Sequence, residues 1–334
     1  ITPTTPTNPQ LALSSPPFSP SSLWNSQISS AQQSKWFDVP LLHYNSVMNE
    51  SRKWFLSNKQ LRVWHGTATD PVWTVTMPQF GNENQTFNRN WPPSTFTIHA
   101  PQNIQEGTDG DHILAIIDHV TGEYFENWSK VVIDATNHTI VGPQGAGWAR
   151  GNAVNGAGFG VPLAQGGNSA GVRAANFSWI GGAITGYDIQ QILDGKKTDF
   201  GHAFVVALGY DTLSKWGLTS PATAPDNGDH DGPIKMGTRI GIPAGVSMPA
   251  QIDPNDKIGV AYFNTLQRYG AFVGDFAGGQ WPIVYVDGNS VKEGSAYELA
   301  LNNAWIWWNQ EGVIDPAKTA NQFCVPLLRL MENN

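Results

Sequence analysis

KVVIDATNHTIVG, residues 130–142, carries β-branched apolar runs on either side of Asn137–His138 and closes on a glycine. That is the pattern of a hairpin arm with its turn at Asn137–His138, because Asn tolerates the left-handed backbone that tight turns need. The same punctuation recurs in both directions along the chain. LRVWHG (61–66), VWTVTM (72–77), STFTIHA (94–100) and HILAIID (112–118) precede it. GHAFVVALGY (201–210), GTRIGIP (237–243), WPIVYVD (281–287) and FCVPLLRL (323–330) follow it. Each is a short alternating or β-branched apolar run bounded by Gly, Pro, Asn or Asp, as strands are. TFTIHA and TRIGIP alternate with period two, the mark of half-buried antiparallel strands.

Helical patterns are few. Residues 45–59 and 188–193 are candidates, and DKIGVAYFNTLQRY (256–269) has helical spacing between Pro254–Asn255 and the stop at Gly270. Ser295 and Glu298 have capping-box spacing, which predicts a helix over about 295–308. Many strands, few helices and long Gly/Pro-rich loops predict an all-β fold, a β-sandwich or jelly roll with a few peripheral helices. The Thr/Pro/Ser-rich residues 1–20 are expected to be an extended leader, and 21–334 a single β-sandwich catalytic domain.

The 334 residues hold 19 Lys+Arg and 27 Asp+Glu, a net charge of −8, and only 14% are charged. An acidic chain without a basic patch repels phosphates, so nucleic acid is not an expected partner. No apolar stretch approaches membrane-spanning length. With 14 Trp and 40% hydrophobic residues the chain can build a large core, and it is expected to be secreted and monomeric. Its single cysteine, Cys324, sits in an apolar run and reads as a core thiol.

Five constellations could carry chemistry. Asp109, Asp111 and His112 lie at the mouth of the ILAIID strand, where two carboxylates and an imidazole suit general acid/base work. If that strand alternates, Asp111 and His112 face opposite ways. His202 heads the apolar strand FVVAL, while Tyr210 and Asp211 fall at its other end. The run AFV between Gly270 and Gly274 reads as a buried strand that delivers Asp275 to its end, with Gly274 allowing close backbone approach. The Gly-rich stretch 147–186 lacks a nucleotide-binding pattern and reads as a loop floor of small residues; Ser169 in it has no nucleophile setting. Asp226-Asn-Gly-Asp229-His230-Asp231 has calcium-loop chemistry without the calcium-loop spacing, so a structural Ca²⁺ is the one cofactor the sequence suggests, and none is required for the expected reaction. Among the Trp, Trp305, Trp307 and Trp308 form the densest group; indole faces stack on sugar rings.

The order of these motifs resembles a group of largely uncharacterised secreted microbial β-sandwich proteins of the carbohydrate-active type. The likeness spans about residues 100–290. It is carried by Asp111-His112 before an apolar strand, Tyr124-Phe125-Glu126-Asn127-Trp128, Trp148 and the stretch through Asn168-Ser169-Ala170-Gly171, Gly201-His202-Ala203, MGTRIGIP (236–243), and Leu266 to Gly270 ending in Asp275. The resemblance implies that Asp111, His112, Glu126, His202 and Asp275 occupy recurrent positions.

The leading expectation is a glycoside hydrolase on a neutral, β-linked glucan-type polysaccharide, which needs two carboxyls flanking the scissile bond. Asp111, Asp275 and Glu126 are the candidates, with His202 orienting one of them. Asp275, behind an apolar strand, is expected to be the desolvated general acid and Asp111 the base or nucleophile. His112, Trp128, Trp148, Tyr269 and Asp109 are the expected substrate contacts. A polysaccharide lyase using His202 and Tyr269 as base and acid is the alternative. A non-catalytic carbohydrate-binding protein, which would keep the Trp face without buried acids, is the third.

Overall fold

The computed structural model describes residues 16–36, 55–79, 93–161, 170–209, 212–226, 232–248, 252–277, 283–301 and 329–331. Sheet dominates these residues and helices are few. The hairpin expected in 130–142 is present. β6 (Val132–Asp134) and β7 (Thr139–Val141) pair antiparallel, and His138 turns between them at φ +51°. Together with β2 (Val72–Met77) and β3 (Ser94–His99) they form a four-stranded sheet in the order β3-β2-β7-β6.

A nine-stranded mixed sheet carries the rest. Its order is β15 (Arg329–Met331), β12 (Arg239–Gly241), β13 (Ala271–Phe276), β9 (Phe204–Leu208), β14 (Ile283–Asp287), β1 (Phe55–Gly66), β4 (Ile113–Asp118), β5 (Glu123–Trp128) and β8 (Gly147–Asn152). β1 runs parallel to both β14 and β4, and β9 parallel to β13; the other pairings are antiparallel. A two-stranded sheet of β10 (Leu213–Leu218) and β11 (Ile234–Met236) lies beside β13.

Side-chain alternation explains the layering. β2 buries every second residue, so Trp73, Val75 and Met77 point inward. They meet Leu114, Ile116 and Phe125 of the large sheet in one apolar cluster. The other parity of β4, Ile113, Ala115 and Ile117, joins a larger cluster on the opposite face. β4 is therefore buried on both sides, which is why ILAIID is continuously apolar. Phe18 and Trp24 belong to the larger cluster as well, so the chain already contributes to the core at residue 18.

α1 (Ser30–Gln33), α2 (Gly186–Leu193) and α3 (Lys257–Arg268) are the helices with described ends. α2 starts on a capping box between Thr185 and Asp188, and α3 on Asp256, whose side chain accepts from the Gly259 amide at 2.9 Å. Gly270, at φ +69°, ends the α3 segment as its position suggested. Residues 296–301 are helical behind Ser295, whose hydroxyl accepts from the Glu298 amide at 3.2 Å; the expected continuation to 308 lies outside the described residues.

Two expectations need correction. The helix expected over 45–59 does not hold from Phe55 onward, where β1 begins. Two flanking parallel strands supply backbone partners there, and tertiary pairing outweighs a weak local helical pattern. The small-residue stretch 147–186 is not an open floor. Its first six residues are strand β8, paired to β5. Ala175, Phe177, Trp179 and Ile180 further along are buried in the larger cluster. The residues 162–169 within it, with Ser169, lie outside the described residues, as do Cys324, Tyr210, Asp211 and the Trp305–Trp308 group.

Candidate active site

Asp275 sits near the end of β13, where a bulge interrupts the pairing with β9. Val273 opposes Val206 and Asp275 opposes Ala207, leaving Gly274 as the extra residue. A bulge re-aims the side chain that follows it. Gly274 is required by contact: a Cβ there would meet Val205 at 2.7 Å and Phe177 at 2.8 Å, while its carbonyl accepts from the Ala175 amide at 3.0 Å. The Asp275 side chain keeps 16% of its surface and lies 4.0 Å from Arg173 Nη1. Burial pushes its carboxyl up to about 7; Arg173 pulls the other way, and the nearby charges of Asp226 and Asp111 push it higher still.

Arg173 is wholly buried between two aromatic rings. Its guanidinium carbon lies 3.9 Å from the Trp179 ring centre and 4.1 Å from that of Tyr285. Nε donates to the Ser178 carbonyl and Nη2 to the Trp179 carbonyl, both at 3.3 Å. Nη1, the nitrogen facing Asp275, makes no hydrogen bond among the described residues. Burial holds the guanidinium below its ordinary value.

Asp111 stands at the mouth of β4. Gln60 Nε2 donates to one oxygen, and the Trp128 indole donates to the other at 3.2 Å. The Ser129 amide donates to its carbonyl at 2.9 Å, tying the start of β4 to the end of β5. Trp128 remains 41% exposed, so an accessible indole face borders this carboxylate. Asp109 accepts from the Asp111 amide at 3.2 Å; burial and the Asp111 charge raise its carboxyl. Asp111 and Asp275 therefore share an electrostatic neighbourhood with Asp226, Arg173 and Tyr285.

Glu126 lies on β5 beneath this group but has no exposed surface. Its oxygens accept from the Val172 amide at 3.2 Å, the Trp179 amide at 2.9 and 3.1 Å, and the Ser178 hydroxyl at 2.9 Å. Burial raises its carboxyl to about 7 against these bonds. It is a strut that holds the Arg173 loop, not a group that can touch a polysaccharide.

The remaining expected site residues are elsewhere. His202 precedes β9, five residues before the Ala207 that opposes Asp275. At a strand rise of ~3.3 Å per residue it lies on the order of 16 Å from Asp275 along the sheet. It is buried with Asp188 at the head of α2, Nε2 to carboxylate 3.5 Å, while Nδ1 sits 2.9 Å from the Ala203 carbonyl. Tyr269, at the same end, is buried, with its hydroxyl 3.4 Å from Gln27. His112 diverges from Asp111 and faces Glu106 at 3.5 Å. Trp148 is packed in the smaller apolar cluster with its indole donating to the Pro78 carbonyl at 3.1 Å, so it is a core residue, not a substrate platform. Of the Asp226–Asp231 loop only Asp226 is described. Among the described residues no group of three His, Cys, Asp or Glu converges as a metal site. Nor is any of their helices long and apolar enough to cross a membrane.

Sequence reasoning missed Arg173 and Tyr285. Arg173 had a signal: between Arg150 and Asp188 it is the one charged residue. A lone cation in so apolar a stretch must find a buried partner. Tyr285 had none, since within IVYVD it reads as an ordinary strand aromatic.

Comparison of the chain with protein-family models, with curated proteins and with solved structures finds no match.

Proposed function

We propose that the chain is a secreted, monomeric glycoside hydrolase acting on a neutral, glucan-type polysaccharide on a β-sandwich framework. The observation that carries this reading is that the carboxyl of Asp275 is raised by burial and also feels the charge of Asp111. One carboxyl is buried and raised to about 7, and the other accepts N–H donors at both oxygens beside an accessible Trp. Two carboxyls in contrasting environments divide the work of a glycosidase: Asp275 holds a transferable proton near neutral pH, and Asp111 acts as base or nucleophile. Among the described residues the cation facing Asp275, Arg173, is buried under it and is not placed to neutralise a uronate. That favours a neutral sugar. His202 and Tyr269, the base and acid a lyase would use, are both buried at the far end of the strands.

Reducing-sugar release from a panel of neutral polysaccharides tests the proposal. Wild-type protein is expected to release sugar, and Asp275→Asn to lose about 10²–10⁴ of that rate while still folding. Turnover by Asp275→Asn at the wild-type rate would overturn the assignment. Binding without release by the wild type would favour a carbohydrate-binding protein instead.

A further inference from the structure

The cations that are scarce around Asp275 gather in another place. A groove of about 410 Å³ crosses β1 between the 103–108 loop and the turn after β14. That volume is within the range of small-molecule sites. Among the described residues Lys59, Arg62 and Lys292 line it, against one carboxylate, Glu293. Lys59 and Glu293 are 3.6 Å apart. Two positive charges are left over, on a chain whose net charge is −8.

One of those charges is held in place by the wall, and the wall itself is tied down. Arg62 Nη1 donates to Gln105 Oε1 at 3.0 Å, and the buried Trp64 donates its indole N–H to the Gln105 carbonyl at 2.7 Å. Asn289, on the opposite wall, is fixed by donating to the Val63 carbonyl at 2.9 Å. The rest of the lining is uncharged and polar, with Asn103 and Thr108 both exposed to the groove. Cations read a carboxylate; amides and hydroxyls read sugar hydroxyls. A bare phosphate fills only a small part of a groove of this volume, whereas a sugar acid is large enough to reach both sets.

We propose that this groove binds an acidic sugar, with Arg62 and Lys292 holding its carboxylate and Asn103 and Thr108 its hydroxyls. The proposal stands apart from the glycosidase reading, since binding is measured without turnover.

Calorimetric titration of the whole protein tests it, with uronic-acid oligosaccharides, their uncharged counterparts and inorganic phosphate as separate ligands. Uronate is expected to bind at least tenfold more tightly than the neutral oligosaccharide and than phosphate, and to weaken with added salt. Arg62→Gln and Lys292→Gln should each weaken it about tenfold, the usual scale of a charge-assisted hydrogen bond. Asp275→Asn should bind uronate as the wild type does. Equal affinity for neutral and acidic sugars would overturn the proposal. So would phosphate binding as tightly as uronate, loss of uronate binding in Asp275→Asn, or wild-type affinity in both groove variants with unchanged circular dichroism.

Discussion

Asp275 and Glu126 share a raised carboxyl for one reason, burial, yet do different work. Asp275 has residual exposure and faces an Arg nitrogen without a hydrogen bond, so it can exchange a proton. Glu126 has no exposed surface and meets three donors, the Val172 and Trp179 amides and the Ser178 hydroxyl. Replacing it tests that distinction. In Glu126→Gln the amide nitrogen must face either the Trp179 or the Val172 amide, donor against donor, whichever way it is turned. A buried donor left unsatisfied costs about 1–3 kcal/mol. Chemical denaturation of Glu126→Gln should show that loss. A variant as stable as the wild type would mean that the loop is held by other contacts. Asp275→Asn should behave in the opposite way. The fold prefers the neutral carboxyl, because its folded value, about 7, lies above the ordinary 3.8. Stability is therefore lost as pH rises through that window. The amide stays neutral throughout, so the thermal midpoint of Asp275→Asn should gain on the wild type between pH 4 and 8. A constant difference across that range would show that Asp275 is not desolvated.

At the scale of elements, the site depends on one bulge and one loop. β13 reaches Asp275 only through Gly274, and residues 172–179 are held against the sheet by Glu126, with Arg173 clamped between Trp179 and Tyr285. Gly274→Ala puts a methyl group into Val205 and Phe177, both fully buried. Overpacking of this kind costs about 1–3 kcal/mol. The expected result is a lower denaturation midpoint and, on the proposed glycosidase reading, reduced turnover, because the bulge that aims Asp275 is distorted. Unchanged activity in a destabilised Gly274→Ala would separate the bulge from the catalytic geometry.

Across the whole molecule, buried groups oppose one another in their response to pH. Asp275 and Glu126 are raised to about 7 and make folding less favourable as pH climbs from about 4 to 7. His65 is lowered to about 3, by burial first and by His119 second, its Nδ1 being 3.0 Å from His119 Nε2. A histidine kept neutral by the fold contributes stability above its ordinary value of 6.5 that is lost as pH falls through the window to about 3. Between pH 4 and 6.5 the two slopes cancel in part. Removing the histidine with His65→Gln should therefore leave a steeper decline of stability with rising pH than the wild type shows. Denaturation midpoints at half-unit pH steps would check this, and parallel curves for the two proteins would refute it.

Much of this molecule can be read from local pattern. Strand runs such as VWTVTM and ILAIID, the turn at Asn137–His138, the α3 segment with its Gly270 stop, and Asp275 at the end of a buried strand behind Gly274 all follow from residue spacing and turn chemistry, which act over a few residues. β5 and β8 were not legible, because EYFENW becomes a strand between β4 and β8, and GWARGN becomes one beside β5. The separation of the site residues was not legible either. His202 and Asp275 each sit beside an apolar strand in sequence. Only the parallel pairing of β9 with β13 sends one to the start of the strands and the other to the end. Strand order and direction arise from contacts between distant segments, and those contacts also decided which acids are open to solvent, which are struts, and where the spare cations meet.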